Sequence, residues 1–289
     1  VTPTTSHNNR RRTVIAALLA AATLTPVGAA RAEKPKAQGA AAAKPAAAAK
    51  KVSLPKKTGE QIFADFLAAS GGQAAYDRVK STVMVGKMTM AAQGLNGDLR
   101  MEFKAPGKFH AVQEIGGFGK AEQGFDGKVA WSKDPLNGLR VLSGAELEQA
   151  KQQGRQNQAF NWRDLYSKVE ALEPRLVNGA PAYVVRATPK SGKAPQTMYF
   201  DAKSRLLVRT DQVIDSPNGK IPTESYLSDY RTVDGLKTPF KLRQVVGGGV
   251  AEVVMTFTSV KNNVPVDDAV FAKPEETVAA PAAAPAAKP

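Results

Sequence analysis

Cysteine is absent from all 289 residues. That excludes disulfides, thiolate zinc sites, c-type haem attachment and a cysteine nucleophile. It also excludes the lipid-bearing cysteine that a bacterial lipoprotein carries directly after its signal. Histidine is nearly as scarce: His7 lies near the N-terminus and His110 is the other. A transition-metal site built on paired His or Cys ligands is therefore not expected. No apolar run reaches the roughly 20 residues of a membrane-spanning helix. Gly-x-Ser-x-Gly and His-Glu-x-x-His are missing too, which removes the hydrolase elbow and the zincin helix.

Acidic residues are outnumbered, 26 against 40 Lys and Arg, for a net charge of +14. The excess is local. Residues 1–57 hold 11 Lys/Arg and the single acid Glu33, leaving 29 Lys/Arg against 25 acids in residues 58–289. The basicity belongs to the leader and linker, so no nucleic-acid footprint is expected on the folded body.

What the N-terminus does contain is the layout of an export signal. Arg10-Arg11-Arg12 precedes an apolar run from Val14 to Leu24, and Ala30-Arg31-Ala32 supplies a small-x-small cleavage site. Arg11-Arg12-Thr13-Val14-Ile15 also fits a twin-arginine signal loosely. Residues 1–32 are thus expected to be a cleaved signal, with the mature protein periplasmic or secreted. Residues 33–57 are almost entirely Ala, Lys and Pro, a composition that cannot offset its own ordering entropy and reads as a flexible linker. Residues 277–289 read likewise as an Ala/Pro tail.

The folded body is expected over 58–276. Thr58 and Gln61 have capping-box spacing, and Ile62, Phe63, Phe66 and Leu67 form one helical face that Ser70-Gly71-Gly72 ends. Alternating strands follow, as in Leu99, Met101 and Phe103 between Arg100, Glu102 and Lys104. Asn96-Gly97, Pro106-Gly107, Asp126-Gly127, Asn178-Gly179, Asp201 to Ser204 and Asp234-Gly235 are turn signals. Gly116 to Gly119 opens no helix, so it is no nucleotide loop. Ser143 and Glu146 have capping-box spacing before a polar, Gln-rich helix that breaks at Gly154. A helical turn around Trp162, Leu165 and Tyr166 comes next. The sum is a mainly β (α+β) chain of about ten or eleven strands: one curved antiparallel sheet forming a half-open barrel, with an N-terminal helix and a central helical lid.

Little chemistry stands out. His110 falls on the polar face of a strand and reads as exposed. Asp126, Asp201, Asp229 and Asp234 are the tempting carboxylates, but three of them sit at turns where Asp serves its own backbone. The apolar faces say more. All six methionines (Met84, Met88, Met90, Met101, Met198, Met255) fall on strand faces. Core packing accounts for such residues, and so does an adaptable lining for an apolar ligand.

Export signal, a helix ending in Gly-Gly, Phe125-Asp126-Gly127-x-x-x-Trp131, the Tyr199-Phe200-Asp201 hairpin and Asp229-Tyr230-Arg231-x-Val-Asp-Gly-x-x-x-Pro239 occur in that order. This resembles the periplasmic outer-membrane lipoprotein-sorting (LolA-like) superfamily, particularly its larger members, over residues 58–274. The resemblance implies an unclosed antiparallel barrel with a helical lid and an apolar cavity. Its partner would be lipid or an acylated lipoprotein. The Ala/Lys/Pro linker and the polar segment 149–161 depart from the carrier pattern. The expected lining is Met84, Met88, Met101, Phe103, Phe109, Trp131, Met198, Phe200, Met255 and Phe257. No catalytic residue, cofactor or metal is expected, and the protein should be a monomer. The alternative is an envelope sensor or scaffold that binds an inner- or outer-membrane protein through the same fold.

Overall fold

The computed structural model describes residues 52–155, 158–216 and 219–275. The expected signal, residues 33–51 of the linker and the C-terminal tail lie outside these residues, while Leu54 packs against a core cluster and Lys57 pairs with Asp65. Helix α1 (Gly59–Ala69) starts with the capping box its sequence predicts: Gln61 N donates to Thr58 Oγ1 at 3.2 Å and Thr58 N donates to Gln61 Oε1 at 2.9 Å. Ile62, Phe63 and Phe66 are its buried face. The chain leaves it through Gly71 and Gly72, at φ 113° and 82°, into the short helix α2 (Gln73–Asp77).

Thirteen antiparallel strands among the described residues make one sheet. The first meander is β1 (Ser81–Met90), β2 (Leu95–Lys104), β3 (Lys108–Ile115), β4 (Gly119–Phe125), β5 (Ala130–Asp134) and β6 (Gly138–Val141). A helical link follows: α3 (Gly144–Gly154), a 3-10 turn (Gln158–Asn161) and α4 (Trp162–Leu165). The second meander is β7 (Tyr166–Val177), β8 (Ala180–Pro189), β9 (Gln196–Asp201), β10 (Leu207–Ser216), β11 (Gly219–Val233), β12 (Leu236–Val246) and β13 (Ala251–Asn262). β13 returns to pair with β1, from Thr82 opposite Asn262 to Thr89 opposite Val254. The sheet therefore runs from β6 through β1 and β13 to β7 and does not close. The helical link joins the two edge strands. It crosses the open seam rather than interrupting a barrel wall.

Both edges are blunted against pairing with other chains. β6 is four residues long, and β7 carries Pro174 where its register shifts between Leu172 and Arg175.

The count of ten or eleven strands is corrected to thirteen. β4 is hard to see because its inward residues, Ala121, Gln123 and Phe125, include only one large apolar side chain. β6 is too short to show a period. Asn96-Gly97 is not a turn either: both lie in β2, opposite Thr89 and Met88. The reversal comes earlier, at a 3-10 turn (Ala91–Gln93) closed by left-handed Gly94. Asn178-Gly179 and Asp234-Gly235 do turn the chain, with both residues of each pair at positive φ.

We call inner the face that carries α1 and α3. Three buried clusters lie on it. Met88, Met90, Leu99, Ile115, Phe240, Val253, Met255 and Phe257 fill the middle of the sheet. Phe63 and Phe66 of α1 pack with Phe160, Trp162, Tyr183, Val185, Met198 and Phe200 at the β7–β9 end. Leu147 and Ala150 of α3 cover Phe109, Phe125, Ala130 and Leu142 at the β3–β6 end.

Candidate functional site

The inner face places nine of the ten expected lining residues together. Cross-strand register sets Met84 opposite Met101, Phe103 opposite Phe109, and Met88 opposite Met255, with Phe257 opposite Gly86. Met198 and Phe200 share the face, opposite Val185 and Tyr183. Burial then divides them. Met88, Met255, Phe257, Phe109, Met198 and Phe200 are each at most 5% exposed and belong to the packed core. Met84, Met101 and Phe103 are only partly covered. Met84 and Met101 join Leu95, Leu242 and Val246 around the middle cluster, whereas Phe103 packs against the cluster that α3 covers.

Trp131 does not join them. Phe125 pairs with Ala130, so Ala130 points inward and Trp131 lies on the opposite face. There the indole Nε1 donates to Phe271 O at 2.9 Å. Phe271 belongs to a C-terminal strap, residues 263–271, that ends in a 3-10 turn (Asp268–Phe271). The strap is tied down by Ser81 Oγ donating to Val264 O and by Lys104 and Lys108, both paired with Asp268. Those two lysines hold the Asp268 carboxyl below the usual range, mainly through the hydrogen bond from Lys104.

His110 is the second correction. It is buried, not exposed, with Nδ1 3.1 Å from Glu102 Oε2 and Nε2 3.5 Å from Glu122 Oε2. The strap is why: it covers the outer face of β2–β5, which alternation alone assigns to solvent.

The tempting carboxylates are occupied with architecture. Asp126 Oδ1 accepts from Lys128 N and Val129 N, and Asp201 Oδ1 accepts from Lys203 N and Ser204 N. Asp229 pairs with Arg231, whose hydrogen bond holds the carboxyl low. Asp234 occupies a left-handed turn position. Among the described residues no cluster of His, Asp and Glu is arranged to hold a metal.

The helical link is anchored at both ends. Arg140 of β6 forks onto Glu146 of α3, Nη1 to Oε2 at 3.0 Å and Nη2 to Oε1 at 2.9 Å. That fork uses the carboxylate expected to complete a capping box, and Ser143 makes no side-chain cap. At the other end Trp162 stacks on Phe63 at 5.0 Å and Phe160 stacks on Tyr76 at 4.7 Å. A recess of about 220 Å³ lies beside the link, bounded by Tyr76, Lys80, Lys104, Gly107, Gly154 and Arg155 among others.

The inner face also holds polar groups that hydrophobic patterning does not reveal. Gln113, Gln123, Ser132, Thr223, Ser225 and Gln244 are all buried. Register puts each of them on the inner face. Gln244 Nε2 donates to Ser225 Oγ at 3.4 Å. Their only sequence signal is a polar residue at an inward position of an otherwise apolar alternation.

No family model and no curated protein sequence matches this chain. Solved structures do. A DUF1329 family protein from Desulfovibrio piger superposes with a TM-score of 0.53 at 14% identity, over 74% of this chain and 96% of that one. A domain named for outer-membrane lipoprotein sorting, from Vibrio parahaemolyticus, gives a TM-score of 0.50 at 11% identity, over 73% and 94%. A LolA superfamily protein from Nitrosomonas europaea gives 0.49 at 12% identity, over 75% and 99%. The likeness is one of fold: a single unclosed antiparallel sheet with helices on its inner face, the LolA-like fold that the order of sequence motifs resembles.

Proposed function

We propose that this chain is a non-catalytic binding protein of the cell envelope that takes a lipid or lipoprotein acyl chain onto its inner face. One observation carries the reading. Met84 and Met101 lie inside a curved sheet yet stay only partly buried, while the helices fill the ends on either side. Partly covered methionine on a concave surface suits a flexible apolar ligand, because its unbranched side chain adapts to variable shapes. Burial of about 0.8 kcal/mol per methylene supplies the affinity without proton transfer. The likeness in fold to a domain named for lipoprotein sorting supports the same ligand class.

The test is mass spectrometry under non-denaturing conditions on protein recovered from the periplasm. Bound lipid is expected on the native chain, with at least a tenfold loss of occupancy in Met101→Glu. A homogeneous ligand-free mass that also ignores added palmitate overturns the reading. A stoichiometric protein partner that Met101→Glu still captures would instead identify an envelope scaffold.

A further inference from the structure

One cross-strand row of the inner face begins apolar and ends polar. Met84 lies opposite Met101, Met101 opposite Ala111, Ala111 opposite Gln123, Gln123 opposite Ser132, and Ser132 opposite Arg140. Gln113 sits two residues along β3 from Ala111, making it the diagonal neighbour of both Met101 and Gln123. Diagonal neighbours are about 7–8 Å apart, so the partly buried methionines and these buried polar groups adjoin on one face. The row ends at the Arg140–Glu146 fork that holds α3.

Two of these polar groups lack partners. Gln113 is 1% exposed and Ser132 is 6% exposed. Among the described residues neither Nε2 nor Oε1 of Gln113 is hydrogen-bonded, and neither is Ser132 Oγ. Gln123 has an interaction of its own. Buried polar side chains are almost always paired, so an orphaned donor and acceptor on one amide point to something that supplies both. An alkyl chain supplies neither. An ester carbonyl would satisfy Nε2 and leave Oε1 unmet. A secondary amide or a hydroxyl offers a donor and an acceptor together.

We infer that the ligand is an acyl-chain lipid bearing an amide or hydroxyl group, seated with its chain on Met84 and Met101 and its polar group against Gln113 and Ser132. This inference rests on the lipid-binding reading above and names the substrate class of that same site. Plain hydrocarbon would bind through the methionines alone. The amide strip adds selection among lipids, because a partner lacking either hydrogen-bonding half leaves a buried group unpaired.

Two isosteric probes separate the ideas. N-hexadecylacetamide and hexadecyl acetate share chain length and shape and differ in N–H against O. Their dissociation constants are measured by calorimetry on the full chain and on Gln113→Leu. The preference for amide over ester should fall about tenfold in the variant, one decade corresponding to 1.4 kcal/mol, while ester binding is retained. If both probes bind and the ratio is the same in the two proteins, the amide strip is not a recognition site and the inference is overturned, with the lipid-binding reading intact. If neither probe binds the native chain, the lipid-binding reading itself fails. Should Gln113→Leu not fold, Ser132→Ala removes one oxygen with little volume and carries the same comparison.

Discussion

A β-carbon built on Gly124 would lie 2.5 Å from the ring of Trp131, so glycine and indole share one site across paired strands. Gly124→Val should lower stability by about 1–3 kcal/mol through forced displacement of the indole, read as a fall in the urea midpoint. An unchanged midpoint would show that the ring moves aside freely. Trp131 also shows why single residues resist reading from sequence. Size favours Trp131 as the inward residue over Ala130, but the loop from Asp126 to Val129 sets Ala130 opposite Phe125 and reverses the choice. His110 is hidden for a related reason. Its ring lies 5.8 Å from that of Trp131, whose indole donates to Phe271, 161 positions from His110 in the chain.

The strap that buries His110 carries its own pH dependence. Asp268 has a folded pKa below its unfolded value, so its contribution to stability is present above the ordinary aspartate range near 3.9. It is lost as the pH falls through the lower folded value. Because the carboxylate is exposed, the effect is small. Urea midpoints of the native chain and Asp268→Asn should differ near neutral pH and converge as the medium is acidified below the ordinary aspartate range. A gap that does not change with pH would mean that the Lys104 and Lys108 pairs contribute nothing to the hold of the strap.

Among the elements, α1 was the most legible. Its cap and the spacing of Ile62, Phe63 and Phe66 are local properties, and the structure realises both. The Asn-Gly and Asp-Gly hairpins are local as well. The cap of α3 is not legible from its own segment because Arg140, outside the helix, takes Glu146. Sequence alternation puts nine of the ten candidate lining residues on what is the inner face. It does not distinguish packed core from partly buried positions, since that depends on which elements lie above each side chain. α1 packs against the cluster that holds Met198 and Phe200, whereas Met84 and Met101 are only partly buried. Phe63 is the junction where α1 meets the helical link: it is fully buried, stacked on Trp162 and 5.3 Å from Phe200. Phe63→Ala should cost about 3–5 kcal/mol and remove the near-ultraviolet dichroism of the stacked pair. A loss below about 1 kcal/mol would mean that the surrounding aromatics collapse into the gap.

At the scale of the whole molecule the fold is two meanders hinged on one pairing. β1 and β13 lie about as far apart in sequence as the body allows, and their register joins β2–β6 to β7–β12. No local signal predicts this pairing, which is why the helical segment reads as a lid and not as the bridge between two sheet edges. Gly86 stands at the break in the β1–β13 register, where a β-carbon would come within 2.3 Å of Thr256 O. Gly86→Ala should therefore push the halves apart and destabilise both by about 1–3 kcal/mol. The two tryptophans report separately on the outcome. Trp131 senses the first meander under its strap, and Trp162 senses the α1 cluster against the second. In Trp131→Phe and Trp162→Phe backgrounds, the remaining indole should give coincident urea transitions, and Gly86→Ala should shift both by the same amount, as one cooperative unit requires. If only one transition moves, the meanders fold independently and the β1–β13 pairing is a contact between two domains.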